Sequence, residues 1–193
     1  VQDPVNGGVS LSLLGEVTFT PDDDFNGSAS FTYTIEDVEG ETSTATVNVT
    51  VAAVNDLPTA NLNINQSGYG HSTSYLENDV GSALVDTSIV LADVDSPGIT
   101  EATFVLTNGD VGDVLEVGTL PLGISASVVP EAPLTVSGTI TVTLSGSASR
   151  DDYELALQEV TFRSESDRPD PSNRIVTLVL NDGDDDSLPV TTT

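Results

Sequence analysis

The sequence has no cysteine, no methionine and no tryptophan. Without cysteine, neither a disulfide framework nor a thiolate metal site is available. Basic residues are nearly as scarce: four arginines and no lysine stand against 31 acidic residues, which gives a formal net charge of −27. Because phosphate binding depends on Lys and Arg, we expect no nucleic-acid partner.

Long apolar runs are missing as well. No run in the sequence is long enough to span a bilayer, and the first residues lack the basic and then apolar character of a signal peptide. We therefore expect no membrane insertion, and we interpret the chain as a mature piece or a segment of a longer protein. A charge this one-sided destabilises a compact fold unless the carboxylates are well solvated or bind divalent cations.

Residues for catalysis are also few. His71 is the single histidine, so a triad or a zinc site would have to be built around it without a second His or any Cys. Paired carboxylates can hydrolyse glycosides, but the absence of tryptophan leaves no aromatic platform for a sugar. We expect a protein that is not an enzyme, in which His71 is an ordinary loop residue.

What the sequence does contain is alternation. Apolar residues recur at every second position in the runs 17–19, 29–35, 45–51, 102–106 and 140–144, and apart from Val105 the residues between them are Ser, Thr or Asn. This period of two, rich in Thr and Val, is typical of half-buried antiparallel strands. Turn signals such as Asn26-Gly27 and Asn108-Gly109 separate the runs. The pattern predicts an all-β fold, an antiparallel Greek-key β-sandwich of the Ig or cadherin type.

The alternating strand pattern is interrupted at two places, by a predicted helix and by a boundary between two units. Tyr153, Ala156, Leu157 and Val160 are spaced by three and four, and Ser149 precedes them as a helix cap, which predicts a short helix near 150–159. Pro58 prevents simple continuation of the strand that ends near residue 52. We therefore predict two units, 1–55 and 56–193.

The first unit carries several motifs in order. Residues 17–37 read VTFTPDDDFNGSASFTYTIED, residues 44–51 read TATVNVTV, and residues 54–58 read VNDLP. Together they resemble the cadherin-like tandem repeats of large bacterial surface adhesins, including the last strand and the linker of such a repeat. The resemblance implies an extracellular or cell-surface location. It also implies partners that are neighbouring repeats, identical subunits, or a glycan or protein on a cell surface.

The second unit is similar to a related cadherin-like repeat. The matching segments are YLEN at 75–78, ADVD at 92–95, DYELALQEVTF at 152–162 and LNDGD at 180–184. Repeats of this kind bind Ca²⁺ with oxygen ligands where two sandwiches meet. Carried over to this sequence, the resemblance implies the following calcium ligands: Asn55, Asp56, Asp93, Asp95 and Asp182 at the junction, Glu77 toward the far end of its own domain, and Asp184 as a further ligand there or toward a following domain.

The placement of the acids supports this more weakly by itself. They lie where strands end and loops converge, and clustered carboxylates repel unless solvated or neutralised by an ion. The alternative is a uniformly acidic surface, as in halophilic or marine secreted proteins. We prefer calcium for Asp93, Asp95 and Asp182, and solvated positions for the acids at 22–24 and 151–152; the two interpretations remain equally open for 184–186.

Three Asn-x-Ser/Thr sequons occur, at Asn26, Asn48 and Asn65. They are acceptor sites for glycosylation if the source has the machinery, although such sequons arise by chance in Thr-rich chains.

The first unit is short for its type, because a cadherin-like sandwich needs about seven strands in roughly 100 residues. We interpret 1–55 as the C-terminal half of such a sandwich, with its missing strands supplied either by a longer chain or by a neighbouring copy. The second option predicts head-to-tail filaments formed by strand exchange. The favoured function is thus a structural or adhesive repeat stiffened by calcium. The alternative is a module that binds a peptide or glycan, and it is less favoured because the long segment 109–133 has no aromatic residue.

Overall fold

The computed structural model describes all 193 residues. The chain divides into two compact units, Val1–Val54 (unit 1) and Asn55–Thr193 (unit 2). The division falls one residue before the boundary that Pro58 and the end of the strand pattern suggest. Asn55 and Asp56 are therefore the first residues of unit 2.

Unit 1 consists of five strands in two antiparallel sheets: β1 (Gln2–Val5), β2 (Gly7–Leu11), β3 (Val17–Pro21), β4 (Gly27–Glu36) and β5 (Thr42–Val51). One sheet has the order β1-β4-β5, and β2 pairs with β3 in the other. The β4–β5 hairpin is paired along its whole length. Its alternating Thr, Val and aromatic residues suit this, because such side chains pack well on a pleated sheet.

The core of unit 1 is small. Ala29 and Phe31 on β4 are its only buried apolar residues, and the ring of Phe31 stacks on that of Phe19 with centroids 6.1 Å apart. Further along β4, on the same face, Tyr33 and Ile35 are 38% and 61% exposed. Much of the apolar face of this sheet is therefore open to solvent.

Unit 2 contains ten strands and one helix. They are β6 (Thr59–Asn61), β7 (Ser82–Ala83), β8 (Val90–Ala92), β9 (Gly98–Gly109), β10 (Asp113–Val117), β11 (Ser125–Val129), β12 (Gly138–Ser149), α1 (Arg150–Gln158), β13 (Val160–Ser164), β14 (Val176–Asn181) and β15 (Val190–Thr192). The largest sheet has the order β11-β12-β9-β14-β15, a second has the order β10-β13-β7, and β6 pairs with β8. Every pairing between these strands is antiparallel.

The core of unit 2 lies against β9, β12 and β14. Because side chains alternate between the two faces of a strand, every second residue in the central part of β9 and β12 and along β14 is buried. These residues are Ala102, Phe104 and Leu106 from β9, Ile140, Val142 and Leu144 from β12, and Val176, Leu178 and Leu180 from β14. The predicted all-β fold, with antiparallel sheets packed as a sandwich, is confirmed.

Helix α1 covers one side of this core. Ser149 caps it, since its Oγ accepts a hydrogen bond from the backbone N–H of Asp152 at 3.1 Å. Tyr153, Ala156 and Leu157 form its buried face. The helix is nine residues long, and no helix in the structure has the length and apolar character needed to cross a membrane.

Candidate metal site

The acid-bearing loops of unit 2 meet because of the way its strands pair. Asn181, the last residue of β14, pairs with Glu101 near the start of β9, so the loop after β14 lies beside the loop that leads into β9. Thr59, the first residue of β6, pairs with Ala92, the last residue of β8. The residues before β6 therefore lie beside the loop after β8. We call this the acidic end of unit 2; its residues are Asn55, Asp56, Asp93, Asp95, Asp182 and Asp185.

The side chain of Asn55 connects two of these carboxylates. Its Nδ2 donates to Oδ2 of Asp182 at 3.0 Å and to Oδ2 of Asp185 at 3.2 Å, and it also lies 3.3 Å from the backbone oxygen of Asp56. Asn55 and Asp182 are 127 residues apart in the sequence. The fold, rather than local sequence, brings this amide to the two acids.

Asp182 itself is held by a tight turn. Its Oδ1 accepts hydrogen bonds from the backbone N–H groups of Asp184 and Asp185, each at 2.8 Å. Burial raises the pKa of the Asp182 carboxyl, but these N–H groups and the Asn55 amide outweigh burial and hold that pKa below its ordinary value. The group is therefore a stable carboxylate, the form that a metal ion requires.

The loop after β8 holds a second pair of acids. Oδ1 of Asp93 accepts from the backbone N–H groups of Asp95 and Ser96 at 3.1 and 2.9 Å, while Oδ2 of Asp93 is buried without a partner. Oδ2 of Asp95 lies 3.4 Å from the backbone nitrogen of Asp56. Nη1 of Arg150 donates to the backbone oxygen of Asp93 at 2.7 Å, which fixes the loop to the start of α1.

The structure thus groups the predicted residues unevenly. It brings Asn55 to Asp182, and Asp56 to Asp95 beside Asp93. Asp184 is exposed and joins the turn through its backbone N–H group. Glu77 is exposed in another part of unit 2, at the rim of a cleft that Tyr75 and Ser164 also line.

Asp185 was left open by the sequence, as part of the range 184–186, and was not among the named calcium ligands. The signal that could have found it is its position three residues after Asp182, since an Asp at the start of a turn accepts hydrogen bonds from the N–H groups two and three residues on. That turn directs the side chains of both residues to the same amide of Asn55.

The side chains of the acidic end do not form a metal coordination shell in this structure. No three Asp, Glu, His or Cys side chains converge closely enough to hold a metal ion. What the acidic end offers is a set of hard oxygen donors, one stabilised carboxylate and one buried carboxylate oxygen without a partner. Calcium accepts such oxygens, together with amide and backbone carbonyls, in a flexible geometry.

The remaining predicted positions lie elsewhere. The sequon asparagines Asn26, Asn48 and Asn65 are all exposed, and Nδ2 of Asn65 donates to Oγ of Ser88 at 2.9 Å. His71 is half-buried with its Nδ1 3.2 Å from Nδ2 of Asn63, and burial lowers the pKa of its imidazole. Glycosylation of the three sequons stays a prediction.

Comparison with known proteins finds a match to one protein family, over the first part of the chain. A protein-family model described as a bacterial Ig domain matches residues 1–50, which include β1 to β4 and most of β5. Residues 1–50 are therefore similar to an Ig-like repeat; domains of that family are typically non-enzymatic and typically found in surface-exposed proteins. No curated protein and no solved structure gives a significant match to the chain.

Proposed function

We propose that the chain is part of an extracellular, cadherin-like repeat protein in which unit 2 binds calcium at its acidic end. The coarser part of this function, an Ig-like surface repeat, rests on the match over residues 1–50. The observation that carries the calcium assignment is that the carboxylates of Asp182 and Asp185 both lie within 3.2 Å of Nδ2 of Asn55.

Electrostatics favours a cation at this position. The carboxylates of Asp182 and Asp185 would repel each other if nothing lay between them, and the Asn55 NH₂ group now lies between them as a weak positive dipole. Rotating the Asn55 amide by half a turn presents its Oδ1 instead, so that three side-chain oxygens surround a bound Ca²⁺. Backbone carbonyls and water would complete a shell of about six to eight oxygens.

Asp93 supplies a second reason. Buried polar atoms without partners are rare in folded proteins, and Oδ2 of Asp93 is one of two such side-chain atoms in the structure. It belongs to the loop that Asp95 connects to the backbone of Asp56. A divalent cation in this loop would satisfy Oδ2 of Asp93 and reduce the repulsion that a net charge of −27 imposes.

Calcium at this position would act as a mechanical brace. Asn55 and Asp56 directly follow Val54, the last residue of unit 1, and both would be fixed to loops of unit 2. The start of unit 2 would then be rigid with calcium and free to move without it. A calcium-dependent rigid connection of this kind is the role of a spacer in a chain of repeats, and a spacer needs no catalytic residue.

Strand exchange is the second part of the proposal. β5 is an edge strand of ten residues, and it carries no Lys, Glu, Asp or Pro to discourage pairing with another chain. A strand added along β5 would extend the sheet and pair the free backbone groups of this edge. The donor would be a neighbouring repeat or an identical subunit, which gives a head-to-tail filament.

Calorimetric titration of the intact chain with CaCl₂ tests the metal site. We expect saturable binding in the wild type, affinity lowered by about tenfold or more in Asp182→Asn, by analogy with the loss of supporting residues at metal sites, and unchanged affinity in Asp79→Asn. Asp79 is an exposed acid outside the acidic end, so this control matches the change in charge. Equal affinity in all three proteins would show that binding is diffuse.

Light scattering across a range of protein concentrations tests strand exchange. The proposal predicts oligomers in the wild type, their loss in Thr46→Lys on the exposed side of β5, and their retention in Thr87→Lys in a loop of unit 2. A wild type that stays monomeric at high concentration would end the filament proposal and leave the calcium proposal intact.

A further inference from the structure

Unit 2 contains a cleft that the calcium proposal does not use. It has a volume of about 390 Å³, within the range of about 300–1,000 Å³ usual for small-molecule sites. We call it the Asp113 cleft; it is bounded by Tyr75, Ser82, Asp113, Phe162, Pro171 and Arg174.

Asp113 is the unusual residue of this cleft. Its side chain is 0% exposed, and its Oδ2 accepts hydrogen bonds from Nε of Arg174 and from the backbone N–H of Asp110, the latter at 2.8 Å. Its Oδ1 is buried and has no partner. A fully buried carboxylate oxygen without a donor is rare in a folded protein, and because the side chain is 0% exposed a molecule in the cleft supplies the missing donor only when the side chains around Asp113 move apart.

The charges of the cleft indicate what kind of donor is needed. Arg174 already neutralises Asp113 through an ion pair, so the buried part of the cleft holds no net charge for a bound ion to balance. Glu77 and Asp170 are exposed at the rim and disfavour the entry of anions. The three acids do not form a metal-binding group. A neutral molecule with O–H donors fits these conditions.

The rest of the lining has the same character. Tyr75 and Phe162 pack edge to face with centroids 5.5 Å apart, and they present apolar surface beside the hydroxyl groups of Ser82 and Ser164. Arg174 uses N–H groups toward Asp113 and toward the backbone oxygen of Ser172, and a guanidinium has further donors to offer. A sugar ring combines hydroxyl groups with an apolar C–H face and so matches both parts of this lining.

We infer that the Asp113 cleft binds a neutral sugar residue of a glycan. Oδ1 of Asp113 accepts a hydrogen bond from one sugar hydroxyl, Arg174 donates to another hydroxyl, and Tyr75 or Phe162 contacts the C–H face. This binding is independent of calcium, because the cleft shares no residue with the acidic end.

Nuclear magnetic resonance titration of the intact chain tests the inference. The probes are methyl glycosides of neutral hexoses and of N-acetylhexosamines, with methylammonium and glucuronate as charged counterparts. We expect at least one neutral glycoside to shift the backbone amides of Ser82 and Phe162 saturably, with a Kd on the order of 1 mM or below. Binding of methylammonium or glucuronate in place of the neutral sugars, or no saturable binding at all, would overturn the inference.

Two variants separate the cleft from other surfaces. Asp113→Asn replaces the acceptor Oδ1 with a donor and is expected to weaken binding at least about tenfold, which is about 1.4 kcal/mol. Because this variant also breaks a buried ion pair, Ser172→Trp gives a second test: Ser172 is exposed at the mouth of the cleft, and a Trp there blocks entry. Thr87→Trp, in an exposed loop outside the cleft, is the control and should bind as the wild type does. Unchanged binding in Ser172→Trp would place the sugar elsewhere.

Discussion

Replacing Arg174 with alanine tests the buried ion pair of unit 2. Asp113 is 0% exposed and the Arg174 side chain is 12% exposed, so the variant leaves a carboxylate buried without its counterion. Removing one partner of a buried pair costs about 3–5 kcal/mol. Arg163 is the matched control: it pairs with Glu116 and Glu165, whose side chains are 45% and 48% exposed, and exposed pairs contribute about 0–1 kcal/mol.

The assay is urea unfolding followed by tyrosine fluorescence, since three of the four tyrosines lie in unit 2. Arg174→Ala should lower the free energy of unfolding of unit 2 several times more than Arg163→Ala does. Adding Asp113→Asn to Arg174→Ala should restore part of the loss, because no uncompensated buried charge remains. If the two arginine variants lose the same small amount, Asp113 is solvated, and the argument for a partner at its Oδ1 fails too.

Three further predictions follow from single contacts. Tyr153 is fully buried, and burial raises the pKa of its phenol to about 12. The contribution of the neutral phenol to the free energy of unfolding is therefore complete below pH 10 and is lost as the pH rises toward 12. Tyr153→Phe should remove the tyrosinate absorbance step near pH 12. Gly146→Ala should cost more than about 2 kcal/mol, because Gly146 has a φ of +141° and a Cβ there would meet the backbone oxygen of Gly123. Gly123 has a φ of +96° but open space around a Cβ, so Gly123→Ala carries backbone strain without the clash and should cost less in thermal unfolding. Asp182 has a lowered pKa, so its contribution is present above the ordinary carboxyl pKa and lost as the pH falls through the lowered value; Asp182→Asn should reduce the acid sensitivity of unit 2 in a pH series of melting curves.

The strands were predictable because their signal is local. Alternation in 102–106 and 140–144 predicts which side chains face inward, and Phe104, Ile140 and Leu144 are fully buried or nearly so. Ser149 was recognisable as a helix cap for the same reason, since the residues that a cap satisfies lie within one turn. Tyr33 shows the limit: alternation places it on the inward face, but whether that face is covered depends on the rest of the unit, and Tyr33 is 38% exposed.

The polar sites were less predictable because they depend on distant residues. The Asn55–Asp182 contact joins residues 127 apart, and it could be anticipated only through the resemblance to cadherin-like repeats. Nothing local indicates that Asp113 pairs with Arg174, which lies 61 residues later, or that one oxygen of Asp113 lacks a partner. Such pairs arise from the strand order β10-β13-β7 and from the loop that precedes β14, which alternation does not specify.

Thermal unfolding of the wild-type chain in millimolar CaCl₂ and in EDTA tests the calcium proposal most directly, with MgCl₂ as the control for divalent charge. A ligand that binds only the folded state adds about 2.7 kcal/mol at a concentration of about 100 Kd. We predict a clear rise in the melting temperature of unit 2 with calcium, a much smaller rise with magnesium, and loss of the calcium effect in Asp182→Asn. Melting curves that coincide in CaCl₂ and EDTA would contradict calcium binding at the acidic end.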